Sequence, residues 1–185
     1  MKNLFLFFYL FTGLTTLAQS NMAACRVTLN NGTTIDGFIK NYKPLMSLEN
    51  GFKLRDENNK KIKIEPRFYK NVEVGNVEYR SIINNKGNFR FMQRLQTGEN
   101  AELYTDTYSR MVSMPGFGGE MHIETHFYLK RGEIVQYMHP DIVQETPESY
   151  FPGASELCET IRNTKKKDFT IPAWVEAYNA LVINP

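Results

Sequence analysis

The residues best suited to chemistry in this 185-residue chain lie in the run His122-Ile123-Glu124-Thr125-His126. Two imidazoles and a carboxylate can hold zinc and leave a fourth position open to water. On a strand, alternate side chains share a face, so His122, Glu124 and His126 project together. A metal-dependent envelope hydrolase is the activity such a set would support. Distance argues against it, because residues i and i+4 of a strand lie about 13 Å apart. The order is also not the helical His-Glu-x-x-His pattern. His139 approaches this strand only if the chain folds back about Arg131-Gly132, which sets it opposite Ile123 or Glu124. The plainer expectation is a solvated polar strand face and no metal.

Other chemistries find less support. Ser113 and Ser155 lack the G-x-S-x-G context of an exposed nucleophile. His139-Pro140-Asp141 reads as a turn. Cys158 falls in an apolar helical stripe, where a thiolate is disfavoured. Gly116, Gly118 and Gly119 lack the G-K-[ST] ending and the strand-to-helix setting of a phosphate loop. The chain is therefore expected to have no catalytic residue and no cofactor. From Lys40 to Lys70 there are nine Lys/Arg and four Asp/Glu. That excess suits anionic lipid, polysaccharide or an acidic protein patch, or it guards exposed β-edges. A net charge of only +2 excludes a nucleic-acid arm. Phe89 with Phe91, and Tyr104 with Tyr108, have the strand spacing of core residues.

The first 18 residues read as an export signal. Lys2 supplies a positive start, Leu4–Leu14 an apolar core of 11 residues, and Thr16-Leu17-Ala18 the small residues of a cleavage site. No apolar run in the mature chain reaches the ~20 residues of a membrane-spanning helix. The protein is thus expected to be exported, periplasmic or secreted, and outer-membrane association is compatible with that. Met22-Ala23-Ala24-Cys25 also resembles a lipobox, which would make the chain a surface lipoprotein subunit anchored through Cys25. Three fates are open for the two cysteines, Cys25 and Cys158: a disulfide, favoured by compartment and even count, lipidation of Cys25, or separate buried thiols.

These residues need elements to position them. Cys25–Thr107 has β texture throughout. Arg26–Leu29 and Thr33–Lys40 flank the turn Asn30-Asn31-Gly32, with Gly37 placed for a bend. Leu45–Leu48, Phe52–Arg55 and Lys61–Glu65 follow, the last alternating strictly. Five short strands within about 40 residues suggest a small SH3-like curled sheet. Pro66–Tyr69 reads as one helical turn, and Val72–Val74 and Val77–Ile83 as a hairpin. Asn84–Asn88 is a polar loop and the expected subdomain boundary. An antiparallel meander follows: Phe89–Thr97, Ala101–Tyr108, a mobile loop over Ser109–Glu120, Met121–Lys130 and Glu133–Met138. Ser155 is a candidate N-cap for a helix closed by Lys165-Lys166-Lys167. Pro172 starts a second helix through Trp174, Val175, Tyr178 and Leu181. The organisation is a signal peptide over 1–18, a small β-barrel-like subdomain over 19–83, and a meander with a helical pair over 84–185. The class is mainly β with a C-terminal helical cap, α+β.

Several phrases occur together in this order: Gly32–Ile39, Ile64–Tyr79 with Pro66, "FRFMQRLQTGENAELY" (Phe89–Tyr104), "HFYLKRGEIVQYM" (His126–Met138), the Cys158 helix and "WVEAYN" (Trp174–Asn179). The chain resembles a family of uncharacterised exported proteins common in Bacteroidetes-type bacteria. That resemblance implies no catalytic residues. The reading favoured overall is a non-enzymatic envelope protein that acts by binding or assembly, its partner an envelope protein or glycan.

Overall fold

The computed structural model describes residues 22–42, 48–114 and 117–181, and for 108–114, 117–122 and 166 the backbone alone. The expected signal peptide and most of the expected Leu45–Leu48 strand lie outside these residues. The chain is mainly β with short C-terminal helices. Among the described residues ten antiparallel strands form one sheet in the order β10-β9-β8-β7-β6-β5-β1-β2-β3-β4.

β1 (Met22–Leu29) and β2 (Thr34–Lys40) form the first hairpin. Its turn is fixed where the Asn31 side-chain oxygen accepts the Thr33 N–H at 3.0 Å. β3 (Phe52–Arg55) and β4 (Lys61–Ile64) form the second. β5 (Tyr69–Val74) returns to pair with β1, so β1 lies between β2 and β5. This is the small SH3-like curled sheet, and its curl needs Gly37. There β3 passes so close that a Cβ would stand 2.3 Å from the Arg55 carbonyl oxygen. Inside lie Val27, Leu54, Ile64 and Val72, all fully buried. Each such side chain stabilises the fold by about 1.5–3 kcal/mol.

β6 (Val77–Ile83) and β7 (Phe89–Gln96) extend the ladder, and Asn84–Asn88 is the turn between them. The Asn84 side chain holds that turn by accepting the N–H groups of Lys86 and Asn88, both at 3.0 Å. β8 (Glu102–Met114) and β9 (Phe117–Arg131) pair from Glu102–Lys130 out to Met114–Phe117. The expected loop over Ser109–Glu120 is therefore mostly strand. The glycines between 116 and 119 suggested a flexible connection, but Gly118 and Gly119 lie within β9. β10 (Ile134–Met138) closes the edge, with Ile134 opposite Arg131.

The helices are α1 (Pro140–Glu145), α2 (Pro147–Tyr150), α3 (Ser155–Asn163) and α4 (Ile171–Asn179), with a 3-10 turn at Lys166–Asp168. His139-Pro140-Asp141 is thus not a simple turn. His139 occupies the N-cap and Pro140 the first helical position, where its missing N–H costs nothing. Ala154, not Ser155, caps α3, and α3 stops at Asn163 before Lys165. The helices cover Leu103, Leu129 and Met138 with Val143, Phe151, Cys158, Ile161, Val175 and Tyr178. On the opposite face Ile82, Met92, Tyr104 and Tyr128 form a third cluster.

The expected disulfide does not form. Cys25 is free and buried in the first cluster, and Cys158 is free and buried in the helical one. Compartment and even count favour pairing only where two cysteines meet, and these belong to separate cores.

Candidate functional site

Alternation along the β3–β4 hairpin decides which side chains face solvent. Phe52, Leu54 and Ile64 are buried, while Lys53, Lys61 and Lys63 are exposed and Arg55 half-buried. The register sets Lys53 directly across from Lys63 and Arg55 directly across from Lys61. Like charges placed so oppose pairing, on the ~0.2–1 kcal/mol scale of cross-strand contacts. Lys63 is relieved by Glu65 at 2.5 Å, though its side chain stays 76% exposed. The Arg55 guanidinium donates to the Asn59 side-chain oxygen at 2.6 Å, which neutralises nothing. Lys53 and Lys61 have no acidic partner among the described residues. Lysines on β4 fit the protection of an edge strand. That does not account for Lys53 on β3, which is paired on its own hairpin side.

Charges elsewhere on the sheet are arranged differently. Glu78 accepts from Arg80 at 2.7 Å and also from Arg94. Glu102 sits within 3.6 Å of both Arg94 and Lys130. Signs alternate from Glu78 through Arg94 and Glu102 to Lys130, and a like pair between β5 and β6, Glu73 opposite Glu78, is relieved at Glu78 by these arginines. On the outer face of β3–β4 like faces like, and of its four cations only Lys63 has an acidic partner among the described residues.

Lys63 also lines an open recess of about 480 Å³ between the β3–β4 hairpin and the start of β7. Asn50, Glu65, Arg67, Asn88, Phe89 and Arg90 share its wall, so one carboxylate, the partner of Lys63, stands among its cations. Phe89 is 44% exposed and lies across from Ile83, itself 50% exposed. The recess is held from beneath by a buried polar cluster. Arg90 donates to both carboxylate oxygens of Asp106, each at 3.2 Å, and to the Asn50 side-chain oxygen at 2.6 Å. Asp106 is fully buried, so this bidentate pair is its compensation for lost water. Glu49 stands 3.5 Å from the same guanidinium. Burial, then the neighbouring Asp106 charge, push its carboxyl up to about 7.

The chain was compared with protein-family models, curated proteins and solved structures, and nothing matched.

The fold-back of His139 onto the histidine strand differs in register from the expected one. Met138 pairs with Phe127 and Tyr137 with Tyr128, which runs His139 toward His126 rather than toward Ile123 or Glu124. Arg131 remains a strand residue, paired with Ile134, and its guanidinium donates to Gln136 and to the Ser149 carbonyl, at 2.9 and 3.1 Å. The turn accordingly falls one residue later. His126 meets the edge of the Tyr137 ring, at 5.4 Å between centroids, and His139 lies 6.5 Å from that ring. Glu124 is exposed on β9, and for His122 only the backbone, opposite Arg110, is described. No group of three His, Cys, Asp or Glu side chains comes together among the described residues.

Both thiols are raised above the ordinary cysteine range, Cys25 to about 12, chiefly because burial penalises the thiolate. Neither is poised as a nucleophile. Ser113 lies within β8 and Ser155 opens α3, with no base beside Ser155 among the described contacts. The Arg90–Asp106–Glu49 cluster was not anticipated. Its signal is visible in the strand pattern, since Asp106 shares its face with the core residue Tyr104.

Proposed function

We propose that the protein is an exported, non-enzymatic envelope protein whose β3–β4 hairpin holds a polyanionic partner. The observation that carries this reading is the double like-charge pairing, Lys53 with Lys63 and Arg55 with Lys61. A hairpin gains nothing in stability from that arrangement. A repeating anion lying along the strands would relieve Lys53, Arg55 and Lys61, which have no acidic partner among the described residues, beside the Lys63–Glu65 pair, and would release its own counterions. The spacing suits a linear polymer, because cross-strand neighbours and next-but-one residues give four cations at the corners of a small rectangle.

The lipoprotein alternative meets a steric objection. Cleavage before Cys25 would remove Met22–Ala24, which pair with Lys40–Phe38, and would place a lipid on a residue only 4% exposed. The hydrolase alternative finds Glu124 and His126 without a third described ligand.

The test is retention on immobilised dextran sulfate under a salt gradient. Lys53→Glu with Lys61→Glu should elute far earlier than the parent chain. Lys165→Glu with Lys167→Glu removes the same charge from the helical end and should elute close to the parent once net charge is matched. Equal loss of retention in both double variants would reduce the effect to net charge and refute the hairpin site.

A further inference from the structure

The recess beside the basic hairpin has a chemistry distinct from the hairpin itself, and we propose that it receives one uronic-acid unit of an acidic polysaccharide. This rests on the polyanion reading above and names the class of polymer. Three features of the wall select it. The first is charge. Arg90 is consumed by Asp106 and Asn50, and Lys63 by Glu65, which leaves the Arg67 guanidinium as the cation with no acidic partner among the described residues. One unbalanced positive charge suits one carboxylate per unit rather than a doubly charged phosphate monoester.

The second is the exposed ring of Phe89, at the mouth of the recess next to Asn88. An aromatic residue 44% exposed beside polar groups offers a platform for the C–H side of a sugar ring. A simple phosphate chain or a lipid headgroup has no such surface to lay on it. The third is the pair of carboxamides. Asn88 contributes its backbone N–H and carbonyl to the β6–β7 turn, so its side chain is left for a ligand. Asn50 accepts from Arg90 through its oxygen and keeps its amino group. Amide donors and acceptors around an apolar plate are what hydroxyl groups on a ring require. The volume, about 480 Å³, falls in the range of ordinary small-ligand sites. Lys63 belongs to both surfaces, so a chain seated on Lys53, Arg55, Lys61 and Lys63 runs into the recess without a break.

The experiment measures binding of the mature chain to oligogalacturonate, to a neutral glucan and to polyphosphate by calorimetry. Oligogalacturonate should bind and the neutral glucan should not. Phe89→Ala should weaken oligogalacturonate by about five- to tenfold and leave polyphosphate on the hairpin unchanged. Asn88→Ala, on the same wall but away from the sheet core, should weaken it in the same selective way if Phe89→Ala fails to fold. Polyphosphate binding without oligogalacturonate binding would overturn the uronate assignment and spare the hairpin reading. Equal loss of both ligands in the Phe89 and Asn88 variants would overturn it too. Binding to neither polymer would overturn both proposals.

Discussion

Asn179 ties the last helix to the sheet by two hydrogen bonds that only a carboxamide can make together. Its oxygen accepts the Ala101 N–H at 2.9 Å and its amino group donates to the Ala101 carbonyl at 3.0 Å. Gly98 leaves the space for it, since a Cβ there would fall 2.1 Å from the Asn179 side chain. Asn179→Ala should therefore cost about 1–3 kcal/mol, the price of stranding buried backbone groups, and urea unfolding would read it. A loss below the error of that measurement would deny the contact. Glu49 predicts a pH effect. Its carboxyl is raised from 4.5 to about 7, so the folded chain retains a proton that the unfolded chain releases. The associated stability is full below pH 4.5 and is lost as pH rises through 7. Glu49→Gln should flatten the decline in unfolding free energy across that window, and an unchanged slope would contradict it. The raised thiols give a third expectation. Iodoacetamide at pH 8 should leave Cys25 and Cys158 unmodified in the folded chain and label both in denaturant. Mass spectrometry distinguishes this from rapid labelling of the native protein.

At the scale of elements, Gly37 is the joint on which the first five strands curl. Gly37→Ala forces a methyl against a backbone carbonyl that cannot rotate away. A loss of about 1–3 kcal/mol is expected, and a thermal midpoint unchanged from the parent would show that β3 approaches less closely. The hairpins were legible because their turns carry strong local signals. Asn30-Asn31-Gly32 and the alternation of Lys61–Glu65 fall where the structure puts β1–β2 and β4. α1 and α2 were not legible. They span six and four residues, too short for a helical period to emerge, and are held by Val143, Pro147 and Tyr150 against the sheet. The basic segment was visible as composition, but its meaning lies in register. The pairing of Lys53 with Lys63 turns a charge excess into like charges facing each other across a hairpin, the arrangement on which the polyanion proposal stands. Alternation places Asp106 on the core face beside Tyr104, but Arg90 is sixteen positions away and meets it only through the β7–β8 fold, so no local pattern names the partner.

The molecule as a whole is one sheet whose second half is covered on one face by its C-terminal helices. A chain ending at Met138 would uncover Leu103, Leu129 and Met138 together. Such an exposed patch favours association. The truncated chain should elute as aggregate in gel filtration, and a soluble monomer would show that the helices are dispensable. The position of β1 bears on time rather than stability. It is the first described strand in sequence, yet it is interior, and Val27 must wait for Val72 before its second edge is satisfied. Closing that distance spends chain entropy before the contact rewards it. Hairpins such as β3–β4 and β6–β7 can close locally and early, whereas the docking of β5 on β1 is the non-local event. A chain delivered N-terminus first would hold β1 with one open edge until Val72 and Val74 had emerged. The slow step of refolding should then track substitutions in β1 and β5, such as Val72→Ala, far more than those in the β9–β10 hairpin.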